Sequence, residues 1–229
     1  MSTSVHNGTT AAAFSATALA NALANDAGVA LFVVDASLRI RHANKPASEQ
    51  MSSRCKDHLG RPLSEVFPQP LASEYAAVAE QACSTDEPID LIGMIDGAWR
   101  RLTFRPVHFE DNRCVLISSP PTAAFSPPKN GRRVLRSAQD DLGDLSKLTS
   151  RELEILRLVG LGLNTTQVAE SLSRSVKTVD GHLLSIRNKI GQLTRTELAA
   201  LAIESGLTRV DDEEVRRIAR QARAAAAQS

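Results

Sequence analysis

The stretch LTSRELEILRLVGLGLNTTQVAESLSRSVKTVDGHLLSIRNKIG, Leu148 to Gly191, decides the architecture of the C-terminal half. It opens on Thr149-Ser-Arg-Glu152, a capping box whose hydroxyl and carboxylate each satisfy an orphan backbone N–H. The helix it starts buries Leu153, Leu156 and Val159 and ends at Gly160 and Gly162. A second helix, near Thr165 to Leu172, buries Val168, Ala169 and Leu172, and Ser175 caps a third. Two short helices joined by so tight a turn make a helix-turn-helix candidate.

The third helix separates into faces by spacing alone. Val179, Leu183, Ile186 and Ile190 form a continuous apolar stripe that must face the core. Lys177, Asp180, Gly181, Leu184 and Asn188 lie on another face, mixed in character and suited to reading bases. Thr178, His182, Ser185 and Lys189 form a flanking row, with Arg187 nearby, suited to gripping phosphates. Thr194-Arg-Thr-Glu197 is a second capping box and starts a fourth helix through Leu198, Leu201 and Ala202 that stops at Gly206. Asp211-Asp-Glu-Glu214 ahead of Arg216, Arg217, Arg220 and Arg223 places acid at the start and base toward the end of a final helix, matching its dipole.

N-terminal to this block, Pro120, Pro121, Pro127 and Pro128 precede Lys129-Asn-Gly-Arg-Arg133, so a linker is expected between Ser119 and Asp144. The whole chain has 229 residues and a net charge of +1, which says little about partners. Divided at the linker, residues 1–119 carry 10 basic and 13 acidic side chains, net −3, and residues 145–229 carry 13 and 10, net +3. The near-neutral total hides two halves of opposite sign.

The first half changes period along its length. Phe14, Ala18, Ala22 and Leu23 recur at helical spacing, and Gly28–Asp35 and Leu38–Ala43 read as strands. Helical segments follow from Lys45 to about His58 and from Leu71 to Cys83. Ile89–Ile95 and Ala98–Phe109 flank Asp96-Gly97, a two-residue hairpin signal, and Arg113–Ser118 is a third strand of that group. No apolar run reaches the length of a membrane span, and the first basic residue is Arg39, so neither a membrane helix nor a signal peptide is expected. Cys55, Cys83 and Cys114 are odd in number and widely spread, which points to a reducing, cytoplasmic location.

Two resemblances sharpen this reading. Leu148-Thr149, Arg151-Glu152, Leu156, Gly162-Leu163, Val168-Ala169, Leu172, Ser175, Lys177-Thr178-Val179, His182, Ile186, Lys189-Ile190-Gly191, Arg195 and Glu197 closely resemble the LuxR-type helix-turn-helix of bacterial transcription regulators. Residues 25–119 resemble a PAS sensor domain. The features that carry this are the two opening strands, Asn44, the Gly60-Arg61-Pro62-Leu63 step into Val66-Phe67-Pro68, the long helix and the three-strand meander.

Together the resemblances imply an α+β chain: an N-terminal helix (1–24), a PAS-like five-stranded antiparallel sheet with helices (25–119), a Pro-rich linker (120–144), an all-α four-helix LuxR-type domain (145–208) and a C-terminal helix (209–229). The third helix is then expected to enter the major groove of double-stranded DNA. Its site residues would be Lys177, Thr178, Asp180, Gly181, His182, Leu184, Ser185, Arg187, Asn188 and Lys189, with Thr165 and Thr166 from the helix before. The implied partners are an operator or promoter, a second copy of the chain as a homodimer, and RNA polymerase.

The sequence departs from the LuxR pattern where basic side chains often stand at Asp180 and Leu184, Val at Gly181 and Lys at Thr166. Asp180 suits a cytosine amino group and Leu184 a thymine methyl, so these departures fit either a different operator or a weak reader. No catalytic constellation or phosphate-binding Gly loop is present, which speaks against an enzyme. Three roles remain open for the first half: small-molecule sensing or dimerisation, docking of a protein partner by a non-DNA-binding antagonist, and haem or redox sensing. His42, His58 and His108 lie off the long helix where an axial ligand would be wanted, and Cys55-Lys-Asp-His58 has no second pair for a closed metal site. Trp99 and Phe104 either line the pocket or pack. The sequence names no cofactor and leaves the pocket's ligand unknown.

Overall fold

In the computed structural model, residues 16–52, 54–109, 112–121 and 131–226 are described here. Phe14, Pro127, Pro128 and the turn at Glu110-Asp111 lie outside them. The chain runs α1 (Ala16–Asp26), β1 (Ala30–Asp35), β2 (Ile40–Ala43), α2 (Lys45–Ser52), α3 (Leu63–Val66), α4 (Gln69–Thr85), β3 (Ile89–Ile95), β4 (Ala98–Phe109), β5 (Asn112–Ser119) and β6 (Arg133–Arg136). After a 3-10 turn at Gly143–Lys147 come α5 (Ser150–Gly160), α6 (Thr165–Ser171), α7 (Val176–Ile190), α8 (Arg195–Glu204) and α9 (Asp212–Ala226).

The sheet corrects the sequence reading in one respect. It has six strands, in the order β2-β1-β5-β4-β3-β6, where five were expected. The sixth, β6, comes from the segment read as a linker and pairs in parallel with β3, Ile89 opposite Arg133 through Ile92 opposite Arg136. An open edge of unpaired N–H and C=O groups on β3 provides the partner that a flexible linker would not need. The other pairings are antiparallel. Asp96 and Gly97 turn the β3–β4 hairpin with φ of 52° and 70°, which a two-residue turn between twisted strands requires.

Asn44 fixes the opening of the fold. Its side chain accepts from Leu31 N at 2.9 Å and Ala47 N at 3.1 Å and donates to Val29 O at 2.8 Å, tying β1 to the start of α2. The inner face of the sheet packs against α4, and Phe32, Phe67, Tyr75 and Phe104 stack in sequence at ring separations of 6.3, 5.3 and 5.8 Å. Phe104 is a packing residue there.

The outer face is also covered. Met94 and Trp99 join one hydrophobic cluster with Leu142, Leu145, Leu153, Leu156, Val179, Leu198 and Ile218. Trp99 therefore packs against the helical half. Its backbone N–H donates to Ser205 O at 2.7 Å, and the Arg136 guanidinium stacks 4.5 Å above its ring. The strand after β6 keeps tracking β3: Ser137 N donates to Ile92 O, Asp141 N to Met94 O and Gly97 N to Asp141 O. Residues 137–142 thus strap the two halves together.

Candidate nucleic-acid interface

The helical half forms as its caps dictate. Thr149 and Glu152, and Thr194 and Glu197, make the two capping boxes expected from sequence. A third, Asn164 with Gln167, opens α6 and was readable from the same spacing with amide side chains in the two roles. Ser175 caps α7, and the turn before it is closed by Ser173 at φ 51° with Arg174 N donating to Ala169 O at 2.8 Å.

Along α7 the faces separate as the stripe requires. Val179, Leu183 and Ile186 are buried, while Lys177, Thr178, Asp180, Gly181, Leu184 and Asn188 are exposed. Leu184 keeps 57% of its surface in water. Among the described residues no side-chain hydrogen bond or ion pair engages Lys177 or Asp180. His182 is half-buried beside them. A built Cβ at Gly181 meets nothing within 4 Å, so packing inside the chain does not demand glycine there. Gly181→Ala is expected to raise stability by about 1 kcal/mol through helix propensity, read as a higher denaturation midpoint. A loss of stability would mean that the backbone there is under a constraint the fold does not show.

The flanking row behaves differently from a free phosphate grip. Ser185 Oγ donates to Glu152 Oε1 at 2.6 Å, and Lys189 Nζ lies 2.9 and 2.7 Å from the two oxygens of the same carboxylate. Both therefore lock α7 onto the first turn of α5. Burial alone would raise the Glu152 carboxyl, but the hydrogen bonds from Lys189, Ser185 and Thr149 outweigh it and hold it at about 2. Arg187 Nε donates to Leu193 O at 2.9 Å and closes the loop after the helix. Asn188 accepts from Gln192 at 3.0 Å. In α6, Thr165 Oγ1 accepts from Arg195 at 3.4 Å, while Thr166 stands exposed. Spacing alone suggested a phosphate grip for Ser185 and Lys189; their link to Glu152 needed the crossing of α5 and α7, which is a tertiary fact.

Two of the arginines of α9 are likewise occupied. Arg216 pairs with the buried Glu154 at 2.6 Å, and Arg217 reaches Asp140 at 3.1 Å and Glu214 at 2.8 Å. Those two arginines clamp the last helix onto α5 and the strap.

Residues 146–202 match the family model of bacterial regulatory proteins, luxR family, and residues 24–122 match that of the PAS fold. Over 67 residues the chain is 34% identical to the transcriptional regulatory protein YdfI of Bacillus subtilis (strain 168), covering 29% of this chain and 32% of that one. Over 66 residues it is 38% identical to the transcriptional activator protein ExaE of Pseudomonas putida, covering 29% and 31%. Over 60 residues it is 42% identical to the oxygen regulatory protein NreC of Staphylococcus aureus, covering 26% and 28%. The chain thus spans less than a third of the length of these relatives. Among solved structures, a Vibrio cholerae VqmA dimer chain aligns over 82% of this chain and 87% of its own, at 22% identity and a TM-score of 0.38.

Proposed function

We propose that this chain, which joins a PAS domain to a LuxR-type helix-turn-helix domain, is a DNA-binding transcription regulator in which α7 enters the major groove of an operator. The observation that carries this is the exposed row Lys177, Asp180, Gly181 and Leu184, with no side-chain hydrogen bond or ion pair among the described residues, on a helix whose other face buries Val179, Leu183 and Ile186. In this reading Lys177 and Thr178 meet phosphates at the helix N-terminus, where the dipole also favours an anion. Asp180 and Leu184 meet base edges. Ser185, Lys189 and Arg187 hold the helix at its angle and act on DNA through that orientation. His182, Asn188, Thr165 and Thr166 border the footprint.

Lys177→Ala is expected to weaken binding to DNA upstream of the protein's own gene by about tenfold and to lower the salt dependence by about one phosphate contact. Unchanged retention across a salt series would remove Lys177 from the interface.

The PAS half is assigned the sensing of a small molecule, dimerisation, or both. Leu19 and Leu23 of α1 and Ile203 of α8 are exposed at 56%, 62% and 52%, and they are the surfaces proposed to meet a second copy. No helix among the described residues is long and apolar enough to cross a membrane. A second reading, a protein-interaction antagonist that binds no DNA, is favoured only by the acid at Asp180. It predicts that Asp180→Asn leaves DNA retention at zero, whereas the regulator reading predicts altered operator preference.

A further inference from the structure

We propose that the interior cavity of the PAS sheet binds the carboxylate of a small organic acid through Arg100 and Arg54, and that the acid displaces Asp141 from Arg54 and so loosens the strap between the two halves. This rests on the reading of the N-terminal half as a small-molecule sensor. The cavity is about 30 Å³, walled by Phe32, Met51, Phe67 and Tyr75, with Arg54 and Arg100 as its cations and Asp96 as the one acid in its wall. That is space for about two water-sized groups, the footprint of a carboxylate and not of a ring system.

The donors suit such a group. Among the described residues the Arg100 side chain makes no hydrogen bond or ion pair; burial pushes its guanidinium down, opposed by the Asp96 carboxylate. A half-buried guanidinium without an acceptor is costly, and its planar fork matches a carboxylate with two parallel bonds. Burial pushes the Tyr75 hydroxyl far up, so it stays protonated and able to donate.

Arg54 links the cavity to the strap. It lies 3.5 Å from Asp96 and is hydrogen-bonded to Asp141. Arg54 and Arg100 are set against Asp96, Asp141 and, beside Tyr75, Glu74, so a bound carboxylate must displace one of these acids from its cation. Asp141 is the one placed to turn outward: its side chain is 27% exposed and its other oxygen accepts from Gly143 N at 3.0 Å. Its own backbone is hydrogen-bonded to Met94 and Gly97, and Leu142 beside it packs in the cluster that contains Trp99. Loss of the Arg54 anchor therefore reaches the seam on which the DNA-binding half sits.

Trp99 is the single tryptophan of the chain and reports this seam. The full chain is titrated at constant ionic strength with acetate, propionate and lactate, and with acetamide, propionamide and lactamide as uncharged counterparts. Binding is followed by calorimetry and Trp99 emission. At least one acid is expected to bind and shift the emission to the red, while its amide does neither. Arg100→Gln should weaken acid binding tenfold or more. It should also leave the melting temperature of the ligand-free protein unchanged or higher, since it removes an unpaired, half-buried charge. Equal binding of acid and amide would overturn the acid class while leaving small-molecule sensing intact. Absence of binding by all six, or normal acid binding by Arg100→Gln, would overturn the site, and binding with unmoved emission would overturn the exchange at Arg54. DNA retention, measured separately, tests the regulator reading on its own.

Discussion

Glu152→Ala is expected to destabilise the helical half by about 3 kcal/mol, seen as a lower denaturant midpoint at unchanged slope. The carboxylate is 3% exposed and accepts four hydrogen bonds from three donors: Thr149 N at 2.6 Å, Ser185 Oγ at 2.6 Å, and Lys189 Nζ at 2.9 and 2.7 Å, and it completes the Thr149 capping box. Alanine leaves the ammonium of Lys189 without its partner and frees the N-terminus of α5. The same contact has a pH signature. Unfolded, this carboxyl takes up a proton near 4.5; folded, it resists until about 2, a gap that corresponds to about 3 kcal/mol. Because the folded value is the lower one, the contribution is complete above pH 5, declines as the pH falls through 4.5 and is gone below 2. Glu152→Gln should flatten stability across that window. A variant as acid-sensitive as the parent would show that another carboxylate governs it.

Arg136→Ala is the second large effect, about 3–5 kcal/mol, and it strikes the seam between the halves. Arg136 donates to Ile92 O at 3.0 Å, to both oxygens of Asp140 at 2.9 and 3.0 Å and to Glu214 at 2.8 Å, and stacks on Trp99. The Asp140 side chain is fully buried, so the loss leaves it with Arg217 and Met94 N alone. Trp99 emission should move to the red in this variant, and limited proteolysis should cut within residues 137–142. A blue, protected Trp99 would mean that apolar packing alone holds the halves together.

The two halves were legible to different degrees, and for physical reasons. The helices of the C-terminal half announce themselves because caps and stripes are local: the Thr149, Ser175 and Thr194 caps and the Val179–Ile186 stripe need no partner to be recognised. Strand β6 was hidden because Arg133-Val-Leu-Arg136 is strand-like only beside the open edge of β3. Trp99 was ambiguous because alternation along β4 sorts residues into two faces without saying what covers each, and here both are covered. Lys189 and Ser185 were read as phosphate donors, whereas Glu152, assigned only a capping role, proved to be their acceptor. The opposite charges of the halves are only part of the account: Arg136 of β6 and Asp140 of the strap pair with Glu214 and Arg217 of α9, where charge of the helical half is neutralised internally.

The central claim is tested most directly by mixing the full chain with fragmented genomic DNA at low salt, recovering what is retained and measuring the mass of the complex on the best fragment. The account predicts a discrete set of fragments sharing one two-fold symmetric sequence, two chains on each, released as salt rises. Retention of no fragment at any salt concentration, or of all fragments equally, would contradict it.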